Sequence, residues 1–203
     1  MTHGTHDALH DPRNAEVLIY LNGELVPRDQ AKVSVFDAGF MLGDGVWEGL
    51  RLHNGRFAFL AEHLDRLFEG AKALDLDIGM DEEALEAELY RTARANGMSS
   101  GVHARLMVTR GPKATPFQDP RLSRSGPTIV IIPEHKVANP ETFERGIRLF
   151  TAHVHRGPPR RPGSQAQLAL QAQLHPRHDP GDQGRLRRGA DARSARLRRD
   201  LQL

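Results

Sequence analysis

Arg66 stands four residues after Glu62 in the run "EHLDRL", a spacing that puts both side chains on one side of a helix. Two kinds of chemistry fit that arrangement. One is an exposed ion pair worth roughly 0.3 kcal/mol. The other is a guanidinium turned inward, whose planar fork clamps a phosphate through paired N–H groups. Spacing alone admits both. Upstream, Gly43-Asp44-Gly45 permits a tight backbone path beside a strand, because glycine adopts φ values closed to other residues. His3, His6 and His10 could meet a metal ion. No partner ligand is fixed near them, so no metal site is assigned.

These residues need elements to hold them. "VLIYLNGELVP" reads as a hairpin, two short apolar runs around Asn22-Gly23, the dipeptide that tolerates a type I′ turn. "VWEGLRLHNGRFAFL" repeats the pattern around Asn54-Gly55. In "LAEHLDRLFEGAKALDL", Leu60, His63, Leu64, Leu67, Ala71 and Leu74 recur at helical spacing, which places Arg66 on an amphipathic helix directly after the second hairpin. "DEEALEAELYRTARANG" predicts a second helix, with acids in its first turn and Gly97 at its end. "VHARLMVTRG", "TIVIIPE" and "GIRLFTAHV" are β-rich. Strands, two helices, then strands predict an α+β domain over residues 15–157 with a largely antiparallel sheet. Residues 1–14 are polar and are expected to be disordered.

Composition separates the last part of the chain from the rest. Of 203 residues, 38% are hydrophobic and 5% aromatic, which allows one large domain. The absence of Cys excludes a disulfide framework and a thiolate metal site, and fits a reducing compartment. No apolar run approaches the length of a membrane span, and "MTHGTHDALHDPRNAE" lacks the apolar core of a secretory signal. A cytoplasmic protein without a membrane partner is expected. Residues 160–203 carry ten Arg, no Lys and four Asp, so residues 1–159 stand at −4 within a net charge of +2. Residues 163–189 contain no Val, Ile, Phe, Tyr, Trp or Met, and residues 158–203 are expected to be an unfolded basic tail. Such a tail either binds phosphate backbones of nucleic acid without specificity or has no partner at all. Nucleic acid is the less favoured of the two.

Together, "DAGFMLGDGVWEG", "HNGRFAF" and "EHLDRL", followed by "ARLMVTRG" and "TIVIIP", resemble the N-terminal domain of the fold-type IV aminotransferases that depend on pyridoxal 5'-phosphate. That family includes branched-chain and D-amino-acid aminotransferases and aminodeoxychorismate lyase. The resemblance extends to about residue 157 and implies roles for particular positions. Arg66 falls on the family's phosphate-holding arginine. Phe40 and Trp47 fall where members line the substrate pocket, although core packing is the commoner fate of aromatics. Arg105 falls on a strand that often grips the substrate carboxylate; a solvated strand position is the alternative. D-amino-acid aminotransferases carry an Arg and a His soon after "TRG". Here the matching positions are Thr115 and Phe117, which favours a branched-chain-like L-amino acid. Members are usually homodimers.

The resemblance also exposes a gap. Transamination needs a lysine amine that condenses with the coenzyme's aldehyde, and the family supplies it from a second domain. After Lys136 this chain has no lysine, and the family's continuation does not follow. A reading-frame slip near Pro159–Pro162 accounts for this. Shifted by one base, "SQAQLALQAQLH" is compatible with the family-like "PKLNSHSKLNCI", and the missing lysine codon overlaps those of Gln171 and Ala172. The expectation is a truncated, catalytically incompetent chain with a large apolar face left open. The rival expectation is a non-enzymatic fragment whose tail binds nucleic acid or nothing.

Overall fold

Asn22 and Gly23 adopt φ of 48° and 97°, and Asn54 and Gly55 adopt 47° and 74°. Such positive values let a two-residue turn match the twist of its strands. The first turn joins β1 (Leu18–Leu21) to β2 (Glu24–Pro27), and the second joins β3 (Gly45–His53) to β4 (Arg56–Phe57). In the computed structural model, which describes residues 11–136 together with Glu144 and Gly146, both hairpins belong to one sheet. All described residues lie in the first of the chain's two units, residues 1–171.

β5 (Val102–Thr109) and β6 (Thr128–His135) complete that sheet of six strands, in the order β2-β1-β6-β5-β3-β4. Every neighbouring pair is antiparallel. Alternation divides its two faces. Val102, Ala104, Leu106 and Val108 of β5 are buried, and β3 sets Leu52, Leu50, Glu48 and Val46 opposite them. His103, Arg105, Met107 and Thr109 look the other way and are partly exposed.

Three helices lie between the strands in sequence: α1 (Ala38–Leu42), α2 (Leu60–Ala73) and α3 (Glu82–Ala95). α2 buries Leu60, Leu64, Leu67 and Ala71, while α3 buries Leu85, Leu89 and Ala93. These side chains share a core with Leu50, Leu52, Leu106 and Ile131, where each buried leucine contributes about 2 kcal/mol. His63 and Leu74, also placed on the inner face of α2 by their spacing, are only half-buried. Asp81 caps α3 by accepting from the Ala84 N–H at 2.8 Å, and Gly97 closes the following turn at φ 62°. The α+β class, the antiparallel sheet and the two long helices agree with the sequence reading.

Two differences have physical causes. α1 spans five residues, too few for a helical period to register. Residues 11–14, expected to be disordered with the rest of the N-terminus, are ordered. Asp11 caps a 3-10 turn over Pro12–Glu16, and Asn14 is 8% exposed. The Asn14 amide donates to the His135 carbonyl and accepts from its N–H, tying the segment to the end of β6. The "GIRLFTAHV" run, the tail from 158 onward, and His3, His6 and His10 lie outside the described residues. Among the described residues no helix is long and apolar enough to cross a membrane.

Candidate functional site

The segment before β3 is sewn to the segment after β5. Asp37 is fully buried and caps α1 by accepting from the Gly39 N–H at 2.8 Å. It also accepts from the hydroxyls of Thr109 at 3.0 Å and Thr128 at 2.7 Å. The Ala38 N–H donates to the Gly111 carbonyl and the Lys113 N–H to the Phe36 carbonyl. Arg110 clasps Asp44 through Nε at 2.7 Å and reaches the Leu74 and Asp75 carbonyls at the end of α2. A Cβ on Gly45 would stand 2.5 Å from the Val108 carbonyl oxygen, so the close path expected of Gly43-Asp44-Gly45 does require glycine.

This clamp fixes β3 beneath α2, and there Arg66 finds its partner. Its Nε donates to Glu48 Oε1 at 2.6 Å and its Nη2 to Oε2 at 2.5 Å. The surface pair with Glu62 is therefore not the arrangement: the guanidinium is turned toward the sheet. Glu48 sits on the helix-facing side of β3 with its side chain 4% exposed, and a carboxylate there demands a counter-charge. His63, one turn ahead of Arg66, brings Nδ1 to 2.8 Å from Oε2. A carboxylate only accepts, so Nδ1 carries the proton in that contact, and its 3.2 Å approach to Arg66 Nη2 is then no hydrogen bond. Burial alone would raise the Glu48 carboxyl; the bonds from Arg66 and His63 outweigh it and hold it below its usual range. Arg66 keeps 42% of its side chain exposed. Among the described residues its Nη1 makes no hydrogen bond.

Trp47 and Arg105 meet on the opposite face. The Arg105 Cζ lies 3.9 Å from the centre of the Trp47 ring, a cation–π contact. Gly49 is Arg105's direct partner across the ladder; it offers no side chain, so the guanidinium settles diagonally on Trp47. A Cβ on Gly49 would also come within 3.1 Å of His103 Nε2, so His103 leans over the same step. Burial pulls the Arg105 guanidinium below its ordinary value, and the Glu48 charge partly offsets this. Among the described residues no carboxylate pairs with Arg105. Thus β3 gives Trp47 to one face and Glu48 to the other, and Arg66 and Arg105 are not brought together on one face.

Phe40 stands apart, 74% exposed on α1. It shares its exposure with Val35, Phe36 and Phe117, on the two segments that Asp37 ties together. Thr115 and Phe117 lie on the loop after β5. In that loop Lys113 is buried, its Nζ donating to the Asp119 carbonyl at 2.9 Å. Glu48, His63 and Asp37 were not singled out from sequence. Glu48 carried a usable signal: it is the charged residue in the inward series Val46, Glu48, Leu50, Leu52.

Residues 45–169 match the family model of amino-transferase class IV. The chain is 43% identical over 150 residues to branched-chain-amino-acid aminotransferase-like protein 1 of Arabidopsis thaliana, covering 73% of this chain and 26% of that protein. It is 40% identical over 103 residues to D-alanine aminotransferase of Listeria monocytogenes, covering 51% and 34%. Among solved structures it resembles the 4-amino-4-deoxychorismate lyase from Pseudomonas aeruginosa. There the identity is 33% and the TM-score 0.51, with 62% of this chain and 42% of that one covered. It also resembles the branched-chain aminotransferase from Thermoproteus uzoniensis with norvaline, at 28% identity and a TM-score of 0.50, over 59% of this chain and 40% of that one. The chain spans a quarter to a third of the curated relatives named here. With more than half its length matched, on the antiparallel sheet those structures share, the chain belongs to the class IV aminotransferases.

Proposed function

We propose that residues 15–157 are the front half of a pyridoxal 5'-phosphate-dependent transaminase acting between an amino acid and a 2-oxo acid. The observation that carries this reading is the orientation of Arg66. Its Nε and Nη2 are held on Glu48 while Nη1 has no hydrogen bond among the described residues, which suits a phosphate oxygen. The coenzyme, when bound, supplies an electron sink for the substrate's α-carbon. In this reading Arg66 holds its phosphate, while Arg105, Trp47 and Phe40, which the fold does not bring onto the face of Arg66, are assigned to the substrate carboxylate and the pocket walls by the family resemblance alone. Thr115 and Phe117 in place of an Arg and a His favour a branched-chain-like L-amino acid. Intact relatives would pair as homodimers.

The fit to the coenzyme's aldehyde is poor. The chain's lysines are Lys32, Lys72, Lys113 and Lys136. None is hydrogen-bonded to the Glu48–Arg66–His63 group or to Arg105, and Lys113 is buried on a backbone carbonyl. The reading therefore includes non-covalent coenzyme binding and no transamination by the chain as it stands. A frame slip near Pro159–Pro162 explains residues 158–203, although the family match itself runs to residue 169. The gene sequence tests that part: in the shifted frame, the codons of Gln171 and Ala172 must contain a lysine codon. Coenzyme binding is tested by titration with pyridoxal 5'-phosphate, followed by borohydride and dialysis. Absorbance that dialysis removes is expected; a stable reduced adduct on one lysine would contradict the reading.

A further inference from the structure

Glu48 commits both carboxylate oxygens. Oε1 accepts from Arg66 Nε, and Oε2 accepts from Arg66 Nη2 and from His63. The carboxylate belongs to β3, where Glu48 stands opposite Leu106 of β5, and is nearly shut off from water, whereas the guanidinium it holds is 42% exposed. An arginine free in solvent has many rotamers and must surrender them to bind an anion. Held by its Nε–Nη2 edge on a buried carboxylate, this one has already done so.

We infer that Glu48, braced by His63, is a positioning residue that holds Arg66 by one edge and leaves the Nη1 edge as a preorganised donor for a phosphate group. The inference rests on the assignment of Arg66 to the coenzyme phosphate. Two effects of Glu48 oppose each other. Its negative charge weakens the pull of Arg66 on any anion, while its geometry removes the cost of orienting the guanidinium. The neutral variant Glu48→Gln separates them. Positioning requires that affinity fall when the carboxylate is lost, whereas charge alone requires that it rise.

The test is a titration of the 203-residue chain with pyridoxal 5'-phosphate and, in parallel, inorganic phosphate. It uses the native chain, Arg66→Lys, Glu48→Gln and the double variant. Glu48→Gln is expected to weaken binding about tenfold, the scale of lost supporting partners. In the Arg66→Lys background the same change should have no further effect, because nothing remains to be positioned. Nitrogen-15 NMR of the native chain supplies a readout that needs no variant. The Arg66 Nε–H resonance should be protected from exchange before and after phosphate is added, and only the Nη1 protons should shift.

If Arg66→Lys binds as well as the native chain, or the native chain binds neither probe, the phosphate assignment fails and this inference with it. If Arg66→Lys weakens binding but Glu48→Gln leaves it equal or tighter, the phosphate assignment stands and positioning by Glu48 is overturned. Should Glu48→Gln not fold, His63→Ala loosens the brace and must lower affinity in the same direction. An Arg66 Nε–H that exchanges freely in the native chain overturns positioning outright.

Discussion

Glu48 and Asp37 are buried carboxylates handled in different ways. Glu48 meets cations, and its carboxyl is held below the usual value of 4.5 by the bonds from Arg66 and His63 despite its burial. A depressed folded value stabilises the fold above the unfolded one and is lost as pH falls through the folded one. Native stability should therefore be level above about pH 5 with respect to this group and decline below pH 4.5. In Glu48→Gln that part of the decline should be missing, as urea midpoints across pH would show. Asp37 instead meets two hydroxyls and an N–H. Asp37→Ala leaves the buried Thr128 hydroxyl unpaired and strips the part-buried Gly39 and Thr109 donors of their partner, which should cost about 3 kcal/mol, read as a lowered denaturation midpoint. The alternation of β3 marked Glu48 as an inward charge, but the partners of neither carboxylate were legible in one dimension. The partners of Asp37 lie 72 and 91 residues away, and the local signal at Arg66 pointed to Glu62, which the folded chain does not use.

At the scale of elements the sequence was far more legible, because the signals are local. Both Asn-Gly turns, the inner stripe of α2 and the acidic first turn of α3 follow from residue types a few positions apart. Leu64→Ala should cost about 3 kcal/mol through the cavity it leaves, since Leu64 is 2% exposed in the core. Asp81→Ala should cost about 1 kcal/mol through the lost cap. Thermal melts of the two variants should rank in that order. What the pattern concealed is a matter of length and distance. α1 is too short to show a period, and Asn14 is ordered by His135, 121 residues away in sequence. β4 stops after two residues, because the chain turns at Phe59 with φ 53° to start α2.

For the whole molecule, the family was readable from ordered blocks of residues, each modest alone. Charge arithmetic by itself sets residues 160–203 apart from the rest of the chain. Val35, Phe36, Phe40 and Phe117 remain exposed at 65%, 44%, 74% and 68%, large apolar side chains of the kind that mediate association. In sedimentation velocity the chain should self-associate as concentration rises, and Val35→Lys with Phe40→Lys should reduce this without lowering the melting temperature. The central claim of the proposed function concerns chemistry: that the front half supplies grips for phosphate and carboxylate but no amine for the coenzyme. Its most direct measurement is the rate of amino transfer from a branched-chain L-amino acid to a 2-oxo acid, with pyridoxal 5'-phosphate present. The purified chain would be compared with the version read in the restored frame. Turnover by the restored version alone is predicted; turnover by the present chain at an ordinary enzymatic rate would contradict it.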